Sequence, residues 1–149
     1  MTKKQLPKLN DLPYSSTKIS VAKTQADISQ LLQKYQIEGY QWTWYKGKTI
    51  LRFVFNGKPY MLSVPRTLAR KYVSGGWKTI EVEDRITYRI FYWALKSILE
   101  MNEYGVMDLN RLLLSYQLIQ VGDQLVSVGD LIEANPNYLL GEPDKLLLR

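Results

Sequence analysis

The chain has 149 residues, 46% of them hydrophobic, which suits one domain with a single core. It contains neither cysteine nor histidine, which excludes disulfides and removes the usual zinc ligands and the most common general base. We therefore predict a protein that is not an enzyme and needs no cofactor. No apolar run approaches the roughly 20 residues that span a bilayer, and the N-terminus lacks a hydrophobic signal core, so we expect a cytoplasmic protein without a membrane partner.

The net charge of +6 is divided unevenly along the chain. Residues 1–80 contain 14 lysines and arginines against 3 acidic residues, whereas residues 81–149 contain 6 against 11. The first part is therefore the one that we expect to face a polyanion such as nucleic acid. The alternative is that its positive charge only keeps the protein soluble.

The N-terminal region predicts an arm, a short strand and a helix. Residues 1–16 lack a sustained hydrophobic period and contain two prolines, which is typical of a flexible basic arm. Ile19 and Val21 then alternate with polar residues, as in a strand. Thr24 suits the N-cap of a helix that ends at Gly39. The apolar face of this helix consists of Ile28, Leu31, Leu32 and Tyr35.

A three-stranded antiparallel meander is predicted after this helix. Residues 40–55 alternate in the period of a strand, with a turn at Gly47. Asn56 and Gly57 form the strongest turn signal in the chain, because both residues tolerate positive φ. Residues 60–64 would return as the third strand.

The next segment, residues 65–80, predicts a basic loop with at most one helical turn, because it begins with proline and contains a Gly-Gly pair. Acidic residues then begin a long helix that ends at Gly105. The predicted apolar stripe of this helix consists of Ile86, Ile90, Trp93, Ala94, Ile98 and Met101.

The C-terminal part predicts a short helix and a hairpin. Asp108 can cap the helix, whose apolar residues are Leu109, Leu112, Leu113 and Tyr116. Residues 118–121 and 125–128 would pair around a Gly-Asp turn, and residues 135–149 would form an irregular tail. The fold class is therefore α+β, with helices packed on one face of the meander in a single domain over residues 17–134.

Several short motifs carry a resemblance to a known group of proteins. In chain order they are Thr17–Val21, Thr24–Ile28, Tyr92-Trp93-Ala94-Leu95-Lys96, Ile98-Leu99-Glu100, Gly105-Val106 and Gly122-Asp123-Gln124-Leu125-Val126. This order resembles a family of small, uncharacterised proteins of bacteriophages, prophages and related mobile elements. The resemblance implies a mobile-element origin but no mechanism, because the family has no established activity.

The aromatic strand of the meander is the first candidate binding feature. A sheet with one open face can stack unpaired bases on aromatic rings while neighbouring cations hold the phosphates. The candidate cations are Lys46, Lys48, Arg52 and Lys58. The alternative is that Tyr40, Trp42 and Trp44 point into the core, in which case Tyr45 and Arg52 would remain accessible.

Two further basic groups follow in the chain. The predicted loop contributes Arg66, Arg70, Lys71 and Lys78. The long helix contributes a ridge on one face, formed by Arg85, Arg89, Tyr92 and Lys96. Such a ridge could follow a phosphate backbone, or it could be an ordinary solvated helix face with local ion pairs.

Two groups of carboxylates flank the long helix and could in principle bind Mg²⁺ for phosphoryl chemistry. They are Glu81, Glu83 and Asp84 at its start, and Glu100, Glu103 and Asp108 near its end. The helix dipole already explains the first group, and no accompanying lysine completes a catalytic arrangement. A nuclease is therefore the third hypothesis, and we predict no catalytic residue and no metal site.

The leading hypothesis is a non-enzymatic protein that binds DNA or RNA mainly through the phosphate backbone, without strong sequence preference. The alternative is an interaction protein that binds a host or viral protein, or a second copy of itself, through the leucine-rich C-terminal half.

Overall fold

The computed structural model describes residues 4–135 and has the predicted α+β architecture. Its helices and strands are, in chain order, α1 (Val21–Lys34), β1 (Gly39–Tyr45), β2 (Lys48–Phe55), β3 (Lys58–Val64), β4 (Leu68–Val73), β5 (Gly76–Glu81), α2 (Asp84–Glu103), α3 (Leu109–Leu112), β6 (Leu118–Val121), β7 (Gln124–Ser127) and α4 (Val128–Ala134). Short 3₁₀ turns occupy Leu9–Asp11 and Leu114–Tyr116. Residues 136–149 of the predicted tail lie outside the described part of the chain. None of the helices described is both long and apolar enough to cross a membrane.

The central sheet is the predicted antiparallel meander, in the order β1-β2-β3. Its register places Leu51 of β2 opposite both Trp42 and Leu62. Two-residue turns join the strands, and both residues of each turn have positive φ, as tight hairpins require. This explains why Asn56 and Gly57 carry such a strong sequence signal.

Helices α1 and α2 cover one face of the meander. The indole nitrogen of Trp42 donates to Ser29 Oγ at 3.4 Å, which ties β1 to α1. The buried residues of this core are Ile28, Leu31, Leu32, Ile37, Leu51, Phe53, Tyr60, Leu62, Leu95, Leu99, Leu109 and Leu113. Each buried Leu, Ile or Phe stabilises the fold by about 1.5–3 kcal/mol relative to exposure. The opposite face of the meander contains Arg52 and is not part of this core.

The predicted stripe of α2 is confirmed at Ile86 and Ile90, which belong to a small core, but the C-terminal half of the helix is turned by about one residue from its predicted orientation. Leu95 and Leu99 are 2% exposed and enter the core, whereas Trp93 is 39% exposed. Ala94 and Ile98 belong to the predicted stripe but are exposed and half-buried, respectively. The sequence has apolar residues at adjacent positions here, and burying the two leucines removes more apolar surface from water than burying alanine.

The predicted strand at Ile19 and Val21 is wrong, because α1 begins at Val21. Ser20, rather than Thr24, is the N-cap, and its side chain accepts a hydrogen bond from the Lys23 amide at 3.2 Å. Thr24 is fully buried one turn later.

The predicted loop over residues 65–80 is also wrong, because β4 and β5 form a second antiparallel hairpin. Its turn is Ser74-Gly75, both with positive φ. Ala69 on β4 is buried against Val82 and Ile86, so the hairpin has its own small apolar contact with the start of α2.

The N-terminal segment packs against this second hairpin, which differs from the predicted flexible arm. A small core consists of Leu9, Leu12, Ala69, Val82, Ile86 and Ile90. The Arg70 amide donates to the Pro7 carbonyl at 2.8 Å, and Tyr14 stacks on Trp93 with ring centroids 6.0 Å apart. Residues 6–14 of this segment therefore contact the rest of the fold.

The C-terminal part contains the predicted small hairpin, formed by β6 and β7. An isolated bridge between Tyr60 and Gln117 attaches this part to the free edge of β3. Helix α4 was not predicted. It begins at Val128, which was assigned to the last strand, because Ser127 acts as N-cap and accepts from the Asp130 amide at 3.1 Å.

Candidate nucleic-acid interface

The short hairpin β4–β5 combines basic and aromatic side chains. Residues directly opposite each other in an antiparallel pair point to the same face of the sheet. Tyr72 lies opposite Trp77 on one face, and Lys71 lies opposite Lys78 on the other. Each strand therefore has a lysine next to a ring, with the two side chains on opposite faces.

Lys71 and Lys78 are both exposed, and their direct opposition is electrostatically unfavourable. Within residues 4–135, neither ammonium group lies within 4.0 Å of a carboxylate oxygen. Asp11 lines the same groove as Lys71 but forms no ion pair with it within 4.0 Å. An anionic ligand placed between the two lysines would reduce their mutual repulsion.

The rings of the other face are also unusually accessible. Tyr72 is 60% exposed and Trp77 is 49% exposed, and they meet edge to face at 5.4 Å. The Trp77 ring is approached by two cations, Lys8 Nζ at 5.4 Å and Arg70 Cζ at 5.0 Å. Arg70 is further held because its Nε donates to the Leu6 carbonyl at 2.8 Å.

A groove of about 270 Å³ separates the N-terminal segment from this hairpin. Lys8, Arg70 and Lys71 line it together with Tyr72 and Trp77, and Leu9, Asn10 and Asp11 complete its lining. With three cations against one carboxylate, the groove presents net positive charge and aromatic surface within the same small volume.

The β1–β2 turn adds a second group of cations and rings. Trp44 is 74% exposed and Tyr45 is 58% exposed, and Lys46 Nζ lies 5.2 Å from the centre of the Tyr45 ring. The Arg66 guanidinium lies so close to Gly47 that a Cβ there would be 3.3 Å from Nη2.

Arg66 connects the two groups. Its Nη1 lies 3.6 Å from an oxygen of Glu81, the last residue of β5. The β1–β2 turn and the base of the second hairpin therefore lie at the same end of the meander. We call this the basic end, and it consists of Lys8, Tyr45, Lys46, Lys48, Arg66, Arg70, Lys71, Tyr72, Trp77 and Lys78.

Arg52 and Lys58 are not brought to the basic end. Arg52 is exposed in the middle of the open sheet face, opposite Met61. Lys58 follows the turn at the far end of β2, about 23 Å from Lys48 by strand rise. The aromatic strand is likewise divided, because Trp42 packs against the core.

The predicted ridge on α2 is not a free surface. Arg89 is buried, and its Nη2 donates to Asp27 Oδ2 of α1 at 2.9 Å. Arg85 Nη1 donates to the Thr17 carbonyl at 2.6 Å. The spacing of the ridge was correct, but a regular helix face can pack against another helix as well as face solvent. Arg89 is therefore excluded as a ligand-binding residue.

Lys96, the last cation of the ridge, is half-buried. Its Nζ lies 4.7 Å from the Trp93 ring centre and 3.8 Å from Glu100 Oε1. Lys96 thus contacts two side chains of its own helix. Over residues 4–135, no three acidic side chains lie close enough together to hold a metal ion.

No family model, curated protein or solved structure matches the chain. The candidate interface is therefore described by its geometry alone.

Sequence reasoning found most cations of the basic end but missed Lys8, Tyr72 and Trp77. A hairpin signal was present, because Ser74-Gly75 is a turn pair and Tyr72 and Trp77 are strand-favouring residues on either side of it. The surrounding charges and the second glycine concealed that signal.

Proposed function

We propose that this protein binds nucleic acid at its basic end, mainly through phosphate contacts and without a chemical step. The observation that carries the proposal is the directly opposed pair of Lys71 and Lys78, which has no ion-pair partner within 4.0 Å in residues 4–135, on a hairpin whose other face carries two exposed rings. Like charges across a hairpin destabilise the free protein, and a polyanion relieves that repulsion on binding.

The other cations of the basic end extend this positive surface. Lys46 lies in the first turn and Lys48 follows it, and Arg66 lies between this turn and the base of the hairpin. Lysine provides a mobile point charge rather than a bidentate fork, so such contacts favour phosphates over particular bases. We therefore expect little sequence preference.

We also propose that the protein comes from a phage or mobile element and acts in the cytoplasm. A phage or mobile-element protein that acts on nucleic acid would work in the cytoplasm, where its ligand occurs. The resemblance of residues 89–128 to small phage and prophage proteins supports this setting.

A salt-dependent titration tests the proposal. Fluorescence anisotropy is measured with labelled single-stranded and double-stranded DNA and RNA, from low to near-physiological salt. We expect affinity to fall linearly on a double-logarithmic plot as counterions are released. The variant K71Q/K78Q should bind more weakly, and its slope should be shallower by about 1.4 for a single strand, about 0.7 for each lost phosphate contact.

The matched control is K34Q/K58Q, which has the same net charge as the hairpin variant. Lys34 ends α1 and Lys58 begins β3, at the end of the meander opposite the basic end. The control should keep nearly the wild-type salt slope. Equal losses in both variants would mean that only the overall charge matters, and an absence of binding at low salt would refute the proposal.

A second candidate function is the binding of another protein through the C-terminal half. One observation favours it, because several apolar side chains of the leucine-rich segment are exposed. Leu114 is 51% exposed, Tyr116 is 47% exposed, and Leu125 on the following hairpin is 67% exposed. Capture of one specific protein that is lost in L114S/L125S but kept in K71Q/K78Q would support this candidate.

A further inference from the structure

We infer that the ligand of the basic end is single-stranded nucleic acid, with one unstacked base lying against the Tyr72 ring and its flanking phosphates held by Lys8 and Lys71. This inference rests on the proposed function. The three residues line the same groove between the N-terminal segment and the second hairpin.

The first argument comes from the exposed rings. Tyr72 and Trp77 lie on the hairpin face opposite Ala69, the β4 residue that anchors the hairpin to the fold. Neither ring belongs to the main core or to the small core. Bases in a duplex are stacked on each other, whereas unpaired bases offer free faces to aromatic side chains. Exposed rings beside cations therefore favour an unpaired strand.

The second argument identifies Tyr72 as the stacking ring. Lys8 and Arg70 already approach the Trp77 ring. Among the cations of residues 4–135, none lies over the Tyr72 ring, which is also the more exposed of the two. The Trp77 ring contacts the Tyr72 ring in an edge-to-face arrangement, with the two planes inclined at 72°.

The third argument weighs against insertion into a duplex groove. A free two-stranded ribbon fits the major groove, which is about 12 Å wide. Here an isolated bridge joins Lys8 of the N-terminal segment to Arg70 of β4. At that point three adjacent backbones span about 10 Å before side chains are added, so the hairpin is too wide to insert beyond Arg70.

The test compares Y72L with Y72F and with the control Y104L, which removes a 77% exposed tyrosine just beyond the C-terminal end of α2. The probes are labelled single-stranded DNA and RNA and the corresponding duplexes. Wild-type protein should prefer one or both single strands. Y72L should weaken single-strand binding by about 5-fold to about 150-fold, the range for loss of one base–aromatic stack.

The control variants should behave differently. Y72F keeps the ring and should bind close to wild type, and Y104L should do the same. Duplex binding should change little in Y72L, because phosphate contacts dominate it.

Two outcomes would overturn the inference in distinguishable ways. Equal or tighter binding of duplexes, with no effect of Y72L on either form, would refute single-strand recognition but leave salt-sensitive nucleic-acid binding intact. An absence of binding to all four probes would refute the proposed function itself. If Y72L weakens single-strand binding, the inference is supported, and a preference for DNA over RNA or the reverse then identifies which nucleic acid the protein binds.

Discussion

The ion pair between Asp27 of α1 and Arg89 of α2 gives a sharp test of how the two helices pack. The side chains are 16% and 7% exposed, and Arg89 Nη2 donates to Asp27 Oδ2 at 2.9 Å. The Nε group of Arg89 is buried and has no hydrogen-bond partner among residues 4–135. In D27N, the guanidinium would lose its only carboxylate among the described residues while staying buried.

The expected cost follows from this burial. Removing one partner of a buried pair typically destabilises a protein by about 3–5 kcal/mol, because a charge remains without compensation. Arg89 keeps its contact with the Tyr92 ring at 4.8 Å, and Asp27 keeps some solvent access. We therefore expect D27N to lower the free energy of unfolding by about 3 kcal/mol, the lower end of that range.

The assay is urea denaturation followed by far-ultraviolet circular dichroism. With a slope of about 2 kcal/mol per molar urea, the midpoint should fall by about 1.5 M. The control is K23Q, because Lys23 also pairs with Asp27 but is 64% exposed. Such an exposed helical pair contributes only about 0.3–0.5 kcal/mol. If D27N costs no more than K23Q, the two helices do not pack around a buried charge pair.

Three further outcomes concern the C-terminal part. Tyr60→Phe removes the hydroxyl that donates to Asn110 Oδ1 at 2.5 Å. The free energy of unfolding, measured by urea denaturation, should therefore fall by about 1–2 kcal/mol. Unchanged stability would contradict this hydrogen bond. Burial, followed by the nearby Asp108 charge, raises the pKa of Tyr60. As the pH rises, the unfolded chain therefore releases the Tyr60 proton before the folded protein does. The free energy of unfolding should fall above about pH 10, and it should fall less steeply in Tyr60→Phe. Parallel pH profiles of the two proteins would contradict a raised pKa of Tyr60. Gly129→Ala places a Cβ 2.9 Å from the Ser115 carbonyl oxygen and should lower the free energy of unfolding by about 1 kcal/mol or more. In Gly76→Ala, the new Cβ has no atom within 4 Å, so the stability should stay close to wild type.

The meander and α1 were predictable because local signals agree with tertiary packing there. Asn56 and Gly57 favour the turn that the strands need, and residues such as Leu51 and Phe53 alternate in the strand period and are buried. The leucines of α1 likewise repeat in the helical period and face the core.

The second hairpin was not predictable in the same way. Only Ala69 among its residues is fully buried, so its strands lack the clear alternation of apolar and polar residues. The hairpin is held in place by the N-terminal segment, which lies more than 60 residues earlier in the chain. The face of α2 that contains Arg89 was ambiguous for a related reason, because periodicity does not reveal which neighbour a helix face meets.

Hydrogen–deuterium exchange with and without a single-stranded oligonucleotide tests the location of the interface most directly. Backbone amides in residues 68–81 and in the adjoining segment 4–12 should exchange more slowly in the complex, because ligand contacts suppress local opening. Residues 114–127, which carry the exposed leucines, should be unaffected. Protection confined to 114–127 or to the open sheet face at 50–54, with no change in 68–81, would contradict the assignment of the basic end as the nucleic-acid interface.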